Sequence, residues 1–178
     1  MKHHSEINPD TLRDALRLWT TGVTIVSAAH DGQRHGMTAN SFTSLSLQPP
    51  LVLVSLEKGT RTHDLVQLAG SYAVSILAEK HQLLSNRFAG RDTENSNGFA
   101  DVDTIEVTTG SPILAAALAY FDCEVDSTHD AGTHTLFIGR VVALGQQAGQ
   151  PPLVYFKDRK STRLNSSHSS VSRMPSSA

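Results

Sequence analysis

Short strand-like segments, most of them apolar, recur along the 178-residue chain between turn-forming residues and constrain its fold more than any other feature. Each spans ten residues or fewer, which suits strands better than helices. They are VTIVSA (23–28), RHGMTANSF (34–42), LVLVSL (51–56), SYAVSIL (71–77), TLFIGRVVAL (135–144) and PPLVYF (151–156). About six strands with only two or three short helices predict a mainly β fold, an antiparallel barrel with a few flanking helices, rather than a doubly wound sheet.

Helix and turn signals lie between these segments. Asn8 followed by a proline predicts a helix start. The apolar residues that follow at helical spacing are expected to face the core. They are Leu12, Ala15, Leu16 and Trp19. Gly22 is expected to end this helix, and Asp31-Gly32 predicts a hairpin turn between two strands.

Two further helices are predicted in the middle of the chain. Thr62 is expected to cap a short helix that Gly70 closes, and EKHQLLSNRF (79–88) also has a helical pattern. The segment ILAAALAYFDCEV (113–125) is ambiguous, because its alanines favour a helix while its second half alternates like a strand. LVLVSL is apolar almost throughout and is expected to form a strand buried on both faces.

Composition narrows the range of functions. The formal net charge of −2 gives no broad basic face for nucleic acid and no polybasic membrane patch. No apolar run approaches the ~20 residues of a membrane span, and the N-terminal residues lack the apolar part of a signal peptide. The single cysteine, Cys123, cannot form an internal disulfide. We expect a soluble, cytoplasmic protein.

Several common catalytic signatures are absent from the sequence. No GxGxxG, GxxxxGK[ST] or GxSxG motif occurs, so neither a nucleotide-binding loop nor a hydrolase elbow is indicated. The nine histidines show no HExxH or paired Cys/His spacing, and no metal site is expected. Cys123 lies in an apolar strand without an adjacent base, which favours a buried structural thiol over a nucleophile.

The segment GMTANSFTS (36–44) concentrates small hydrogen-bonding groups beside a hydrophobic strand. Thr38, Asn40 and Ser41 offer donors and acceptors that suit a flat heterocycle, and Gly36 would let a ligand approach the backbone. The segment KGTRT (58–62) places two cations at a predicted helix start, where anions bind. Together they indicate a phosphorylated ring cofactor. The alternative, that the hydroxyls satisfy a sheet edge and the cations are solvated, is compatible with the same spacing.

The longer motifs resemble those of a known family. They are TTGVTIVSA, DGQRHGMTANSFTSLSLQPPLVLVSLEKGTRTH, FAG, GSPIL, AYFDCEV, GTHTLFIGRVVAL and PLVYF, in this order. The chain is similar here to the flavin reductase family, whose fold is the FMN-binding split barrel, an antiparallel Greek-key β-barrel. The resemblance covers about residues 8–157. It implies an NAD(P)H-dependent flavin reductase of a two-component monooxygenase, and a homodimer that binds flavin near the subunit interface.

The same resemblance implies roles for individual residues. GMTANSFTS would form the wall for the isoalloxazine ring, the end of the next strand a second flavin contact, KGTRT the phosphate side, and RFAGR the segment that closes over the flavin. His134, in GTHTLFIG, would lie near the nicotinamide. The implied cofactor-binding residues are Gly36, Met37, Thr38, Asn40, Ser41, Ser55, Leu56, Lys58, Arg61, Thr62, Arg87, Phe88, Ala89, Gly90 and Arg91.

The implied reaction is hydride transfer from NADH or NADPH to FMN or FAD, followed by release of reduced flavin to a partner monooxygenase. Two alternatives remain: an oxidoreductase of the same fold that retains its flavin, and a non-catalytic flavin-binding module. The sequence departs from the family pattern at Thr133, where an acid is usual, and after Phe156. Residues 161–178 hold eight serines among 18 and no apolar period, so this segment is expected to be disordered or non-native.

Overall fold

The computed structural model describes residues 6–90, 98–147 and 149–156. Its helices are α1 (Pro9–Leu16), α2 (Arg61–Ala69) and α3 (Gln82–Phe88), and a 3₁₀ turn, Glu79–His81, precedes α3. Its strands are β1 (Thr21–Gly22), β2 (Thr24–His30), β3 (Gln33–Ala39), β4 (Thr43–Leu47), β5 (Pro50–Glu57), β6 (Ser71–Ile76), β7 (Thr104–Ile105), β8 (Ile113–Leu114), β9 (Ala119–Ala131), β10 (His134–Gln146) and β11 (Val154–Tyr155).

The predictions for Arg91 and for residues 161–178 concern positions outside the described residues. None of the helices described here has the length and apolar character needed to span a membrane.

Seven strands form one antiparallel sheet in the order β3–β2–β6–β9–β10–β5–β4. β3 and β4 are its opposite edges, yet only residues 40–42 separate them in the chain. Four Cα steps reach at most about 14 Å, whereas six strand spacings in a flat sheet would separate the edges by about 29 Å. The sheet is therefore rolled until its edges approach each other. The mainly β prediction is confirmed, but within the described strands β3 and β4 do not pair, so the roll is not a closed barrel.

The link 40–42 is fastened to the sheet by Ser41. Its hydroxyl donates to the carbonyl oxygen of Ser55 at 2.8 Å and accepts the Ser55 N–H at 3.2 Å. The prediction of one continuous strand over 34–42 is therefore wrong in its last three residues. The chain leaves β3 after Ala39 because it must cross to the other edge of the sheet.

β2 separates two hydrophobic cores. Its Val26 faces the main core, which also contains residues from β5, β6, β9, β10 and α2. Its Ile25 faces a second core that includes Phe88 of α3 and Phe99. Five consecutive residues of β2 are buried, so β2 is covered on both faces.

The prediction that LVLVSL is buried on both faces is wrong for this chain. In β5 the residues Val52, Val54 and Leu56 are buried, while Leu51 and Leu53 remain partly exposed. The second face of β5 is therefore only partly covered by the part of the chain that the structure describes.

α1 begins as predicted but does not pack as predicted. The Asn8 side chain caps it by accepting hydrogen bonds from two N–H groups of the first turn. The four residues expected in the core, Leu12, Ala15, Leu16 and Trp19, are all exposed, with 73% of Trp19 accessible. No described element covers the apolar side of α1. The helix ends at Leu16, before Gly22, which lies in β1 instead.

The predicted hairpin turn and the predicted end of α2 are correct, whereas the predicted cap of α2 is shifted. Asp31 and Gly32 have φ angles of 48° and 73° in the β2–β3 hairpin, and Gly70, with φ 64°, ends α2. The cap of α2 is Thr60, whose side chain accepts the His63 N–H, rather than Thr62. Thr62 is turned inward and fully buried, so its hydroxyl cannot cap the helix.

The ambiguous segment 113–125 contains no described helix. Ile113–Leu114 forms β8 and the chain enters β9 at Ala119. β9 pairs with both β6 and β10, and these two ladders outweigh the helix preference of the alanines.

Tyr72, Cys123 and Gly139 pack against one another in the middle of the sheet. Both side chains are fully buried, and burial, followed by the nearby Asp122, raises the pKa of Cys123 to about 12. The interpretation of Cys123 as a structural thiol is confirmed, because a thiol with this pKa is not ionised at neutral pH. A side chain at Gly139 would meet the Tyr72 ring and the Cys123 side chain.

Gly139→Ala should destabilise the protein by about 1–3 kcal/mol, because the Tyr72 hydroxyl is held by the Phe137 carbonyl oxygen at 3.3 Å and the ring cannot move aside. Chemical denaturation gives the free energy of unfolding. The matched control is Gly22→Ala, where a side chain would meet nothing within 4 Å. Equal stability of the two variants would contradict this account of Gly139.

Candidate functional site

A cleft of about 220 Å³ lies between the end of β3 and α3. Its lining residues are Val23, Thr38, Ala39, Asn40, Ser85, Asn86, Ala89 and Tyr155. The Thr38 hydroxyl donates to the Ser85 carbonyl oxygen at 2.6 Å, which fastens the strand to the helix. The structure thus brings together three of the predicted residues, Thr38, Asn40 and Ala89.

The start of α3 is held by a histidine. His81 lies in the 3₁₀ turn before the helix, and its Nδ1 accepts the Ala78 N–H at 3.2 Å. Burial, and then the charge of Lys80, lower the pKa of His81, which favours the neutral ring that this hydrogen bond needs. α3 ends at Phe88, and Gly90 adopts φ 68° beyond it.

Gly36 has a packing role that the sequence did not predict. A side chain at this position would meet the rings of Phe88 and Phe99 and the side chain of Ile25 at 3.1–3.2 Å. The two rings pack edge to face with centroids 4.9 Å apart. Glycine is therefore needed here for the second core to pack against β3, and a backbone contact of Gly36 with a cofactor stays a prediction.

Two side-chain amides in the first cleft have no partner. The side chains of Asn40 and Asn86 make no hydrogen bond within the described parts of the chain, and Asn40 is exposed. An amide both donates and accepts, so this pair complements the carbonyls and ring nitrogens of a flat heterocycle. These amides are the polar groups that a ligand in the cleft could use.

Four other residues that were predicted to contact the flavin make structural contacts within the fold. The Ser41 hydroxyl is occupied by the backbone of Ser55, Leu56 is fully buried in the main core, and Met37 packs against that core. Flavin contacts by these four residues stay predictions.

The KGTRT loop does not present its two cations together. The Lys58 ammonium pairs with Asp130 at 2.5 Å and donates to the Gly132 carbonyl oxygen at 2.7 Å. Arg61 has no ion pair within the described residues and borders a second cleft. The Thr62 hydroxyl is hydrogen-bonded to Nδ1 of His35 at 2.8 Å. Of the predicted phosphate-binding side chains, only Arg61 is therefore open to a ligand.

The second cleft, of about 460 Å³, follows the first half of β3. Its lining residues are Gly32, Gln33, Arg34, His35, Gly36, Arg61, Gly98 and Phe99. The Arg34 guanidinium lies 5.1 Å from the centroid of the Phe99 ring. Burial, and then the charge of Arg61, lower the pKa of His35, so this cleft combines two permanent cations with a neutral imidazole.

The remaining predicted residues lie around these clefts. Arg87 donates to the Ala100 carbonyl oxygen at 2.8 Å, and Phe88 is buried in the second core. His134 begins β10 opposite Glu57, with Nδ1 2.9 Å from the Thr133 hydroxyl, and lines neither cleft. Its contact with nicotinamide stays a prediction. Within the described residues, no group of His, Cys, Asp and Glu side chains is arranged to hold a metal ion.

Sequence reasoning missed several lining residues. Ser85 and Asn86 directly precede the predicted RFAGR segment, and a helical pattern was visible there. Arg34 and His35 directly precede the predicted GMTANSFTS segment. No pattern indicated that Val23 and Tyr155 line the cleft. Their two segments are brought together by the pairing of β1 with β11 and by the hydrogen bond from the Val23 N–H to the Leu153 carbonyl oxygen.

Sequence comparisons show which known proteins this chain is similar to. Residues 16–163 match the family model described as a flavin reductase like domain. The NADH-dependent flavin reductase StyB of Pseudomonas fluorescens is 41% identical over 157 residues, which cover 86% of this chain and 89% of StyB. The flavin-dependent monooxygenase reductase subunit HsaB of Rhodococcus jostii (strain RHA1) is 38% identical over 151 residues, covering 85% of this chain and 76% of HsaB.

A solved structure shows the same likeness in three dimensions. The flavin reductase PheA2 in its native state superposes with a TM-score of 0.78 at 38% sequence identity, covering 84% of this chain and 94% of PheA2. Since the family model matches most of the sequence and these relatives match along most of their length, the chain belongs to the flavin reductase family.

Proposed function

We propose that the chain transfers a hydride from NADH to a flavin and supplies the reduced flavin to a partner monooxygenase. The observation that carries the proposal is the pair of unpartnered amides, Asn40 and Asn86, facing one cleft at the end of an edge strand in a member of the flavin reductase family. The similar protein StyB is described as an NADH-dependent flavin reductase, and HsaB as the reductase subunit of a flavin-dependent monooxygenase.

A bound flavin supplies the redox chemistry by accepting the hydride. The side chains present suit such a ring, because Asn40 and Asn86 would donate to its carbonyl groups and accept from its N–H groups. Donors that are held in place before binding favour the negative charge that reduction adds. The chain's task is therefore to bind and orient the two reactants rather than to supply an acid or a base.

The cleft is rigid on two sides. The Thr38 hydroxyl ties β3 to α3, and Ser41 ties the neighbouring link to β5. These hydrogen bonds fix the backbone on either side of Asn40. A wall that is ordered before binding loses little conformational entropy when a ligand binds.

Five further parts of the proposal concern the setting of the site. The rolled, open sheet corresponds to the Greek-key split barrel of the family, and residues 8–157 form the functional domain. The flavin is FMN or FAD, and its first phosphate binds at Arg61. We place the protein in the cytoplasm, a proposal that rests on its composition, with one buried cysteine and a small net charge.

We also propose a homodimer. The outward face of β5 and β10 carries four partly exposed apolar side chains, Leu51, Leu53, Leu136 and Ile138. Their register, with Leu53 opposite Ile138, makes them contiguous, and such a patch is typical of a protein interface. The first cleft, at about 220 Å³, is smaller than the ~300–1,000 Å³ of most ligand pockets, which favours completion of the site by a second subunit.

The reductase function predicts NADH oxidation that saturates with added free flavin. Removing one amide by Asn86→Ala should raise the KM for flavin about 2- to 10-fold, the effect of one hydrogen bond. The control Leu83→Ala changes an exposed side chain of the same helix and should leave the KM unchanged. Oxidation independent of added flavin would instead identify an enzyme that retains its flavin, and flavin binding without oxidation would identify a carrier.

The phosphate assignment predicts different effects for the two cations of the KGTRT loop. Arg61→Ala should weaken FMN binding about 10- to 100-fold, because a charge-assisted hydrogen bond contributes roughly 1.5–3 kcal/mol. Riboflavin, which lacks the phosphate, should bind Arg61→Ala and the wild type alike. Lys58→Ala should change FMN affinity little, since Lys58 is held by Asp130. Fluorescence quenching gives each Kd, and loss of FMN affinity in the Lys58 variant alone would reverse the assignment.

The dimer proposal predicts that Leu53→Glu produces a monomer, because it places a charge in the centre of the apolar patch. Sedimentation velocity at micromolar concentration gives the mass of each species. The control Leu83→Glu adds the same charge at a side chain that is 81% exposed and should remain dimeric. A monomeric wild-type protein would refute the proposal directly.

A further inference from the structure

Three separate parts of the chain meet beside the first cleft through their backbones. The Val23 N–H donates to the Leu153 carbonyl oxygen at 3.1 Å, and the Leu153 N–H donates to the Leu77 carbonyl oxygen at 2.8 Å. The Leu77 N–H donates back to the Val23 carbonyl oxygen at 3.0 Å, so the three hydrogen bonds form a closed ring. Val23 lines the first cleft, and so does Tyr155, two residues beyond Leu153. This junction therefore fixes one wall of the cleft.

The wall formed by α3 is tied to the same junction by His81. Ala78, which follows Leu77, forms a β-bridge with Pro152 and donates its N–H to Nδ1 of His81 at 3.2 Å. The His81 N–H in turn donates to the Ala78 carbonyl oxygen at 2.9 Å, and the imidazole is buried. The position of Asn86 in α3 relative to the junction therefore depends on the short turn that His81 closes.

The side-chain hydrogen bond in this turn requires a neutral imidazole. The Ala78 N–H can only donate, so Nδ1 of His81 must offer a lone pair, and protonation places a hydrogen there instead. A charged ring would also be buried beside the charge of Lys80. Protonation therefore removes one of the contacts that fix the start of α3. It does not involve the hydrogen bond between Thr38 and Ser85 farther along the helix.

We propose that neutral His81 is a positioning residue for the first cleft and that protonation of His81 weakens flavin binding there. This inference rests on the proposed function and adds to it a pH-sensitive control of flavin affinity. Burial, and then Lys80, lower the pKa of His81 in the folded protein. The contribution of His81 is therefore complete above the ordinary histidine pKa of ~6.5 and is lost as pH falls through the lowered value.

Few other groups in these elements can compete for the role. His81 is the sole histidine in residues 77–90 and 149–156. The other ionisable side chains of these ranges are Glu79, Lys80, Arg87 and Tyr155. His35 also has a lowered pKa, but it lines the second cleft, where the flavin phosphate is proposed to bind. Riboflavin is the suitable probe, because it lacks the phosphate and so reports on the first cleft.

The test measures the Kd of riboflavin by fluorescence quenching between about pH 8 and about pH 5, the range in which histidines change charge. The proteins compared are wild type, His81→Asn and His81→Leu. The Asn side-chain oxygen can accept the Ala78 N–H as Nδ1 does, but it does not gain a proton in this range. The Leu side chain cannot accept the hydrogen bond at any pH.

We expect the Kd of wild type to rise about 2- to 10-fold on acidification, the effect of one hydrogen bond. His81→Asn should keep the lower Kd throughout, and His81→Leu should show the higher Kd throughout. The control is His129→Asn, because His129 is exposed on β9 and lines neither cleft. This variant should keep the pH profile of wild type.

A second arm needs no flavin. The protection of the Ala78 N–H against hydrogen exchange, measured by NMR and corrected for the intrinsic rate at each pH, reports the hydrogen bond itself. Protection should fall on acidification in wild type, persist in His81→Asn and be low in His81→Leu at every pH. Circular dichroism at each pH shows whether the whole protein remains folded.

Three results would overturn the inference. They are a riboflavin Kd of wild type that does not change with pH, the same pH dependence in His81→Asn as in wild type, and wild-type affinity of a folded His81→Leu at the alkaline end of the range. If His81→Leu does not fold, the comparison of wild type with His81→Asn decides. Failure of wild type to bind riboflavin at any pH would instead reject the proposed function, and the protection of Ala78 would still show whether His81 holds the turn.

Discussion

The rest of the structure depends on the three-residue link between the two edge strands of the sheet. Residues 40–42 are too few to cross a flat seven-stranded sheet, so the sheet has to roll. The roll encloses the main core beneath α2, and no strand among the described residues pairs with the outer edge of β3. Asn40 begins the link and Ser41 fastens it to Ser55, so the segment that bends the sheet also lines the cleft.

β3 connects the fold to both clefts because its two faces contact different helices. On one face, Thr38 is hydrogen-bonded to α3 and Gly36 lies against the Phe88 ring. On the other face, His35 is hydrogen-bonded to Thr62 of α2. An edge strand held by side chains from both directions needs no second strand beside it. The order of β3 therefore does not depend on a further strand from the described part of the chain.

Local patterns in the sequence predicted local structure well. The Asn8 cap, the Asp31-Gly32 hairpin and the Gly70 helix end each follow from the chemistry of one or two residues, and all are confirmed. Predictions that required a partner surface were less successful. Trp19 was expected in a core and β5 was expected to be covered twice, because periodicity shows which face is apolar but not what covers it. The family resemblance named Gly36 and Thr38 among the β3 residues that line the clefts but missed Arg34 and His35. The separation of Lys58 from Arg61 depends on Asp130, 72 residues away from Lys58 along the chain.

The junction of α3 with the second core joins two properties that protein engineers usually treat separately. Phe88 packs in the core and the next residue, Ala89, lines the cleft, so one peptide unit connects the stability of the second core to the shape of the proposed flavin site. Random libraries screened for heat tolerance would therefore accumulate changes near Phe88 and Phe99 that also narrow or widen the cleft. For a reductase that must release its product to another enzyme, variants selected for heat tolerance should therefore also be screened for turnover.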